Sequence, residues 1–456
     1  MVNQIRKCVV LVFLFVSGIY NSNAMDTGQS EPKTMTFVLG TDQKYITPTL
    51  VTIYSLLKNG ITNNKRKRTI NILLLFDGLD EKNNKYIQNS ITKMINHINI
   101  LDMKNKYKEE KVCLYFLDTK GDINVLADKF KFIGQNLYEK DIKGEKIKGY
   151  MQTRKVALPF YIAQSKGELA YEESDSMKSI TILTNSSNEK ISIYNYMWLD
   201  SDTLILGDIT ALYDECYAKD YDQIKNGQKG VIYTSNLLYT EEDSYKKLNN
   251  KLGDEALTDY SMKGQDISTS KFDITWKCYA PDYNTKTRWR CSGGVMFFNI
   301  IAGKQKLFSS EIINPYKRIV AEDEETFFSS YVKNYSELQT HLHSSDDRLK
   351  NITPGPSLFA FSPKYDYKPN QGEAYKKCKI FNPTILHWDR HIKPWNDCKQ
   401  RVENCDTDNK EVMEQCENEL GTALDKLATK KLTTYEYTAN RFWLETCRFV
   451  IRVLLE

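Results

Sequence analysis

From Ile70 to Phe76 the chain reads INILLLF, with almost no alternation of apolar and polar side chains. A strand wetted on one side alternates; an apolar run of this length needs cover on both faces, as in a parallel sheet flanked by helices. Its neighbours agree. Met35 to Leu39 (MTFVL) reads as a strand, and Thr47-Pro48 fits a helix cap followed by proline at the first helical position, with apolar spacing continuing to Leu57. Ile87 to Ile98 and Val156 to Ala163 suit helices. Val112 to Leu117, Tyr194 to Leu199, Gly230 to Tyr233, Val295 to Asn299 and Thr384 to Trp388 suit strands. Strands alternating with helices imply an α/β domain around a mostly parallel central sheet. From about Asp406 the strand signal stops and the chain reads as helices.

Composition excludes several classes. In 456 residues, 63 Lys and Arg face 59 Asp and Glu, a net charge of +4, which argues against nucleic acid as a partner. Hydrophobic residues make up 41%, enough for a sizeable core. Lys65 to Arg68 form a basic run expected in a solvated loop. At the N-terminus Arg6 and Lys7 precede the apolar run Cys8 to Val16, and Ser22-Asn23-Ala24 offers small residues for cleavage. This is the layout of a secretory signal peptide over residues 1–24, with an uncleaved anchor as the alternative. It implies the secretory pathway (ER or Golgi lumen) or secretion. With Cys8 in that segment nine cysteines remain, an odd number, and disulfides are preferred to zinc because no Cys-x-x-Cys pair exists. Asn185, Asn334 and Asn351 begin glycosylation sequons that agree with this compartment. The remaining chain divides into a catalytic domain over 25–397 and a Cys-containing helical extension over 398–456.

Three segments carry chemistry. In YMWLDSDTLILGD an apolar strand runs into Asp200-Ser201-Asp202. Ligands gather at the carboxyl ends of strands in open α/β sheets. Two carboxylates there suit Mn²⁺ or Mg²⁺, which in turn grips a diphosphate; the bland reading is a pair of solvated acids. In ILHWDRHIKPW, which holds both His387 and His391, a neutral imidazole can complete a metal shell and Lys393 can meet phosphate, although a histidine after a strand is more often structural. In CSGGVMFFN, Gly293-Gly294 permits close backbone approach or merely a tight turn.

Taken in order with FVLGTDQKYITPTLVTIYSLLKN and LPFYIA, these segments resemble the family 8 glycosyltransferases, of the glycogenin and lipopolysaccharide galactosyltransferase type, from Met35 to Trp395. The resemblance implies a GT-A type, single Rossmann-like domain and transfer, with retention, of a hexose or pentose from a UDP-sugar to a glycan, glycoprotein or glycolipid. It implies that Gly40, Thr41, Asp42 and Tyr45 hold the uridine, that Asp200, Asp202 and His387 bind Mn²⁺ (or Mg²⁺), and that Lys393 touches the diphosphate. Lys155 falls where the family often has an arginine on the donor, and Ser201 and Gly294 join the donor contacts. The late Asp-Gln-Asp segment of the family becomes Asp323-Glu324-Glu325, which makes Glu324, with Asp323 beside it, the candidate catalytic pair. Ser292-Gly293-Gly294 replaces Asn-x-Gly, Arg390 replaces a glycine, and the stretch between Asp202 and Ser292 is longer than usual. These departures leave the subfamily and acceptor open.

Two rival readings remain. LDSDTLIL also fits the nucleophile strand of haloacid-dehalogenase phosphatases, with Asp200 as nucleophile and Asp202 as acid/base, but that motif normally opens its domain. A catalytically degenerate binding module is the other. The tail from Ala439 to Leu455 places Phe442, Trp443, Phe449, Val450, Val453 and Leu454 mainly along one helix side. Docking on the domain, with Phe442, Val450 and Leu454 buried and Cys447 available for a disulfide, is the expectation; peripheral membrane contact and a partner protein are the alternatives.

Overall fold

The computed structural model describes residues 34–62, 68–77, 81–101, 112–118, 122–127, 130–132, 150–165, 168–171, 189–225, 229–236, 291–301, 308, 319–321, 324, 327–328, 358–372, 382–388, 393–395, 409–430 and 432–456. The targeting segment, the three sequons and Asp323 lie outside them. Seven strands form the central sheet: β1 (Thr34–Asp42), β2 (Thr69–Asp77), β3 (Val112–Asp118), β7 (Asn195–Leu199), β9 (Ile232–Asn236), β10 (Cys291–Asn299) and β12 (Leu358–Phe361). Their order is β12-β9-β10-β7-β1-β2-β3. All neighbours run parallel except β10, which is antiparallel to both β7 and β9. Short two-stranded pairs join β4 (Phe130–Phe132) to β11 (Ile319–Ala321), β5 (Glu168–Tyr171) to β6 (Glu189–Ser192), and β8 (Thr203–Ile205) to β13 (Ile385–His387).

The apolar run in β2 has the predicted cause. Ile70, Ile72 and Leu74 face one core, Leu73 and Leu75 the other, because successive side chains on a strand point to opposite faces. The first face is covered by α1 (Ile46–Ser55), α2 (Glu81–Leu101), α5 (Thr210–Cys216) and the C-terminal helices. The second is covered by α3 (Asp122–Ala127), α4 (Tyr150–Gln164) and α6 (Tyr221–Lys225). β7 and β10 alternate in the same way: Met197, Leu199, Val295 and Phe297 against Tyr196, Trp198, Met296 and Phe298.

Several expectations need correction. Helix α1 starts at Ile46 with Tyr45 as its N-cap, not at Thr47-Pro48. A 3-10 turn, Gln43–Tyr45, brings the chain into the helix two residues early, and Pro48 stays in the first turn, where no intrahelical N–H bond is lost. Strand β9 begins two residues later than expected, and β10 begins four residues earlier, at Cys291. Arg68 does not lie in a solvated loop: its side chain is 3% exposed and forks onto the Asp214 carboxylate. A planar guanidinium can be buried when both carboxylate oxygens meet it.

The C-terminal helices α7 (Lys410–Leu427) and α8 (Thr434–Leu455) pack on each other, and α8 lies against α1 and α2. They belong to the same unit as the sheet, Pro32–Glu456. Thr433 and Glu436 form a capping box at the start of α8, and Lys93 of α2 donates to the carbonyl of Leu454 (2.6 Å) at its end. Val450 and Leu454 are buried as expected, but Phe442 is 41% exposed and Cys447 is a buried thiol that forms no disulfide. Burial in an apolar contact, not a crosslink, holds the helix. Most of its apolar face is therefore occupied, with Phe442 left outside. No described helix is long and apolar enough to cross a membrane.

Candidate metal centre

Register puts the acids where they are. Leu39 of β1 pairs with Leu199 of β7, and Val295 of β10 pairs with the same Leu199. Asp200 thus emerges between Gly40 and Gly294 at the carboxyl ends of the parallel strands. Its N–H donates to the Gly294 carbonyl (2.9 Å), and the Ser201 hydroxyl donates to the Gly40 carbonyl (2.5 Å). A turn follows, closed by Thr203 N–H to the Asp200 carbonyl (3.2 Å). Thr52 of α1 donates to the carbonyls of Ser201 (3.0 Å) and Thr203 (2.7 Å), fixing the turn to the helix behind it.

The turn feeds β8, whose antiparallel partner β13 sets His387 opposite Thr203. Asp200, Asp202 and His387 consequently meet, each offering one ligand atom within 4.8 Å of the others. His387 Nε2 stands 3.4 Å from Asp202 Oδ1 and 3.7 Å from Asp200 Oδ2. Each carboxylate has one oxygen held and one turned to the cluster. Asp200 Oδ1 accepts from Trp198 Nε1 (2.5 Å) and Lys155 Nζ (3.1 Å). Asp202 Oδ2 is paired with Lys393 Nζ, which also donates to the Trp388 carbonyl. Asp202 Oδ1 is buried with no hydrogen-bond donor of acceptable geometry.

Gly294 is demanded by this packing. A Cβ there would lie 2.1 Å from His387 Cε1, inside the imidazole. Likewise a Cβ on Gly40 would lie 2.3 Å from Met151 Sδ of α4. The sequence reading allowed close approach of a ligand at Gly293-Gly294; what comes close to Gly294 here is the histidine ring.

One participant was not legible in the sequence. Asp366 is fully buried, and its Oδ1 lies 2.8 Å from His387 Nδ1. That contact turns Nε2 towards the two acids. Asp366 sits between Tyr365 and Tyr367 in a segment with no motif, so nothing in one sequence marks it. Burial works against a charged His387, but the carboxylates of Asp366 and Asp202 outweigh it and push the imidazole up to about 10. Burial likewise opposes ionised Asp202, yet the Lys393 and His387 charges hold its carboxyl well below the usual range.

The other expected residues fall into three groups. Thr41, Asp42 and Tyr45 follow Gly40 at the end of β1. The Thr49 hydroxyl donates to Thr41 Oγ1 (2.9 Å), Tyr45 N–H donates to Asp42 Oδ1 (3.1 Å), and the Tyr45 ring sets its edge towards Trp395 (6.3 Å). Lys155 is buried, bonded to Asp200 and to the Gly293 carbonyl, with its Nζ 5.0 Å from the Trp198 ring centre. Glu324 is buried in the segment whose Phe327 and Phe328 pack with Phe160 of α4 and Phe298 of β10; Asp323 lies outside the described residues.

No protein-family model and no curated protein matches this sequence. Among solved structures, the galactosyltransferase LgtC in complex with donor and acceptor sugar analogs is 10% identical, with 82% of this chain and 95% of that chain covered and a TM-score of 0.36. Mouse xyloside xylosyltransferase 1 is 11% identical, with 78% and 98% covered and a TM-score of 0.34. The glycosyltransferase GlyE of Streptococcus pneumoniae is 12% identical, with 88% and 66% covered and a TM-score of 0.35. Likenesses of this size carry no statement about reaction or ligand, which has to come from the site itself.

Proposed function

We propose that the protein is a metal-dependent glycosyltransferase that moves a hexose or pentose from a UDP-sugar to a glycan, glycoprotein or glycolipid acceptor. The observation that carries the reading is the convergence of Asp200, Asp202 and His387, from separate segments, at the carboxyl ends of the parallel strands and beside Lys393. The donor set suits Mn²⁺ or Mg²⁺. Two carboxylates and one imidazole are hard or borderline ligands, and the buried Asp202 Oδ1, which faces His387 Nε2 at 3.4 Å without a well-formed hydrogen bond, is an oxygen that a cation would satisfy. Ligand atoms about 2.0–2.6 Å from one ion stand apart by distances such as those separating these side chains. Bound there, the ion supplies positive charge to the diphosphate as the glycosidic bond breaks.

The residues of the chain do the rest. Lys393 adds a second cation at the same carboxylate and is assigned to a diphosphate oxygen. Lys155 and Trp198 hold one oxygen of Asp200, leaving the other for the ion. Asp366 fixes the ring of His387. Gly40, Thr41, Asp42 and Tyr45 flank the acids at the end of β1 and are assigned to the uridine, with Ser201 and Gly294 lining the donor. Glu324 is assigned as the nucleophile of a retaining double displacement. Its carboxylate bonds to the anomeric carbon as the bond to the diphosphate oxygen breaks, and an acceptor hydroxyl then displaces it, giving up its proton to the departed diphosphate. The charged and apolar start of the chain supports work in the secretory pathway.

Calorimetric titration with UDP, with and without Mn²⁺, tests the reading. Binding that requires Mn²⁺ and disappears in Asp202→Asn is expected. Indifference to UDP would favour a phosphatase, and no binding of either a scaffold. Slow hydrolysis across a panel of UDP-sugars would name the donor. Glu324→Gln is expected to abolish turnover and leave UDP affinity intact; near-normal turnover would remove Glu324 from the reaction.

A further inference from the structure

The C-terminal helix reaches the site through two tryptophans. Trp388 follows His387 directly, and three groups of this residue are in use. Its backbone N–H donates to the Asp202 carbonyl (3.2 Å), its carbonyl accepts from Lys393 Nζ, and its indole N–H donates to Asn440 Oδ1 of α8 (2.8 Å). One turn further along α8, the Trp443 ring packs on Trp395 with centroids 4.6 Å apart, and Trp395 in turn meets the edge of Tyr45. Asn440 and Trp443 are three apart and so share a helix face. That face grips both described ends of the segment from Trp388 to Trp395, which carries Lys393.

A helix docked only for burial would need no polar group there. Asn440 is 6% exposed, and a buried amide is costly unless its hydrogen bonds are made. Here the amide oxygen accepts from the one residue whose backbone holds both Asp202 and Lys393.

We propose that Asn440 and Trp443 are positioning residues for the metal and diphosphate site, acting through Trp388 and Trp395, so that α8 is a working part of that site. The inference rests on the metal reading above. Asn440→Leu keeps the size and removes the acceptor. Mn²⁺ affinity of the full chain, measured without nucleotide by electron paramagnetic resonance, is expected to fall about 10-fold in this variant, as for lost partners of metal ligands. Asn440→Asp, which keeps the acceptor, is expected to recover most of it. Because Asn440 acts through the indole, Trp388→Phe combined with Asn440→Leu is expected to bind Mn²⁺ no more weakly than Trp388→Phe alone. Should Asn440→Leu fail to fold, Trp388→Phe removes the same bond from the other side and is expected to show the same loss. Parental Mn²⁺ affinity in Asn440→Leu, whatever its melting temperature, overturns the proposal by making the contact purely structural, and so does additivity in the double variant. A parent protein that binds no Mn²⁺ defeats the metal reading first and this inference with it.

Discussion

At the scale of single residues, the candidate site depends on two positions whose importance lies in what stands next to them. Gly294 has no side chain because the His387 ring occupies that volume. Gly294→Ala is therefore expected to displace the ring and weaken Mn²⁺ binding about 10-fold or more, read by calorimetric titration. Asp366 bonds Nδ1 of the same ring. Asp366→Asn keeps an oxygen that can accept from Nδ1 but removes the charge that holds the imidazole upright. Mn²⁺ affinity about 10-fold below the parent at neutral pH is the expected result. The role of both positions is legible only once the fold is known. A glycine in SGG could as well make a turn, and an aspartate in KYDYK has no pattern of its own.

At the scale of elements, the pairing of α7 with α8 carries a pH signature. Glu417 of α7 accepts from Arg448 Nε (2.5 Å) and Arg452 Nε (2.8 Å) of α8. Partial burial raises the Glu417 carboxyl, but the hydrogen bonds and charges of Arg448 and Arg452 outweigh it and hold it below its ordinary 4.5. A carboxylate depressed in the folded state stabilises that state fully above its unfolded value, and the contribution fades as pH falls through the folded value. Glu417→Gln is expected to lower stability by about 1 kcal/mol near pH 7, since Arg452 is half-exposed and screened. The gap to the parent should close below pH 4.5 in thermal melts at stepped pH. A gap that stays constant across that range would detach the shift from this ion pair. The sequence announced two helices here and their apolar stripe. It did not announce that Phe442 would stay outside or that Cys447 would remain a thiol, because both depend on which part of the stripe meets α1 and α2.

At the scale of the whole molecule, a metal bound at the proposed centre would couple distant parts of the chain. Its expected ligands come from residues 200, 202 and 387, and the segment after His387 is bound to a helix that ends at residue 455. An ion bound only by the folded chain stabilises all of it, by about 2.7 kcal/mol at 100 times its dissociation constant. For a chain of this size that is roughly a 3 °C rise in melting temperature. Scanning calorimetry should show the rise with Mn²⁺, its reversal by a chelator, and no rise in Asp200→Asn. A melting temperature indifferent to Mn²⁺ would speak against the centre.

The sequence by itself determined the sheet interior and the end of it that carries chemistry. INILLLF could be stable only between two helix layers, and a buried strand running into Asp200 and Asp202 had to deliver them at its carboxyl end. These are local consequences of side-chain alternation and burial. What tertiary structure alone decided is everything that depends on register between segments far apart in the chain. The β8–β13 pairing put His387 beside Asp202, the β7–β10 pairing put Gly294 beside Asp200, and burial set Asp366 behind His387 and Asn440 behind Trp388. Arg68 shows the same limit: a basic run predicts solvent, but a carboxylate 146 residues away made burial the better state. Local patterns cannot encode such contacts, because their free energy is gained only when both segments are already in place.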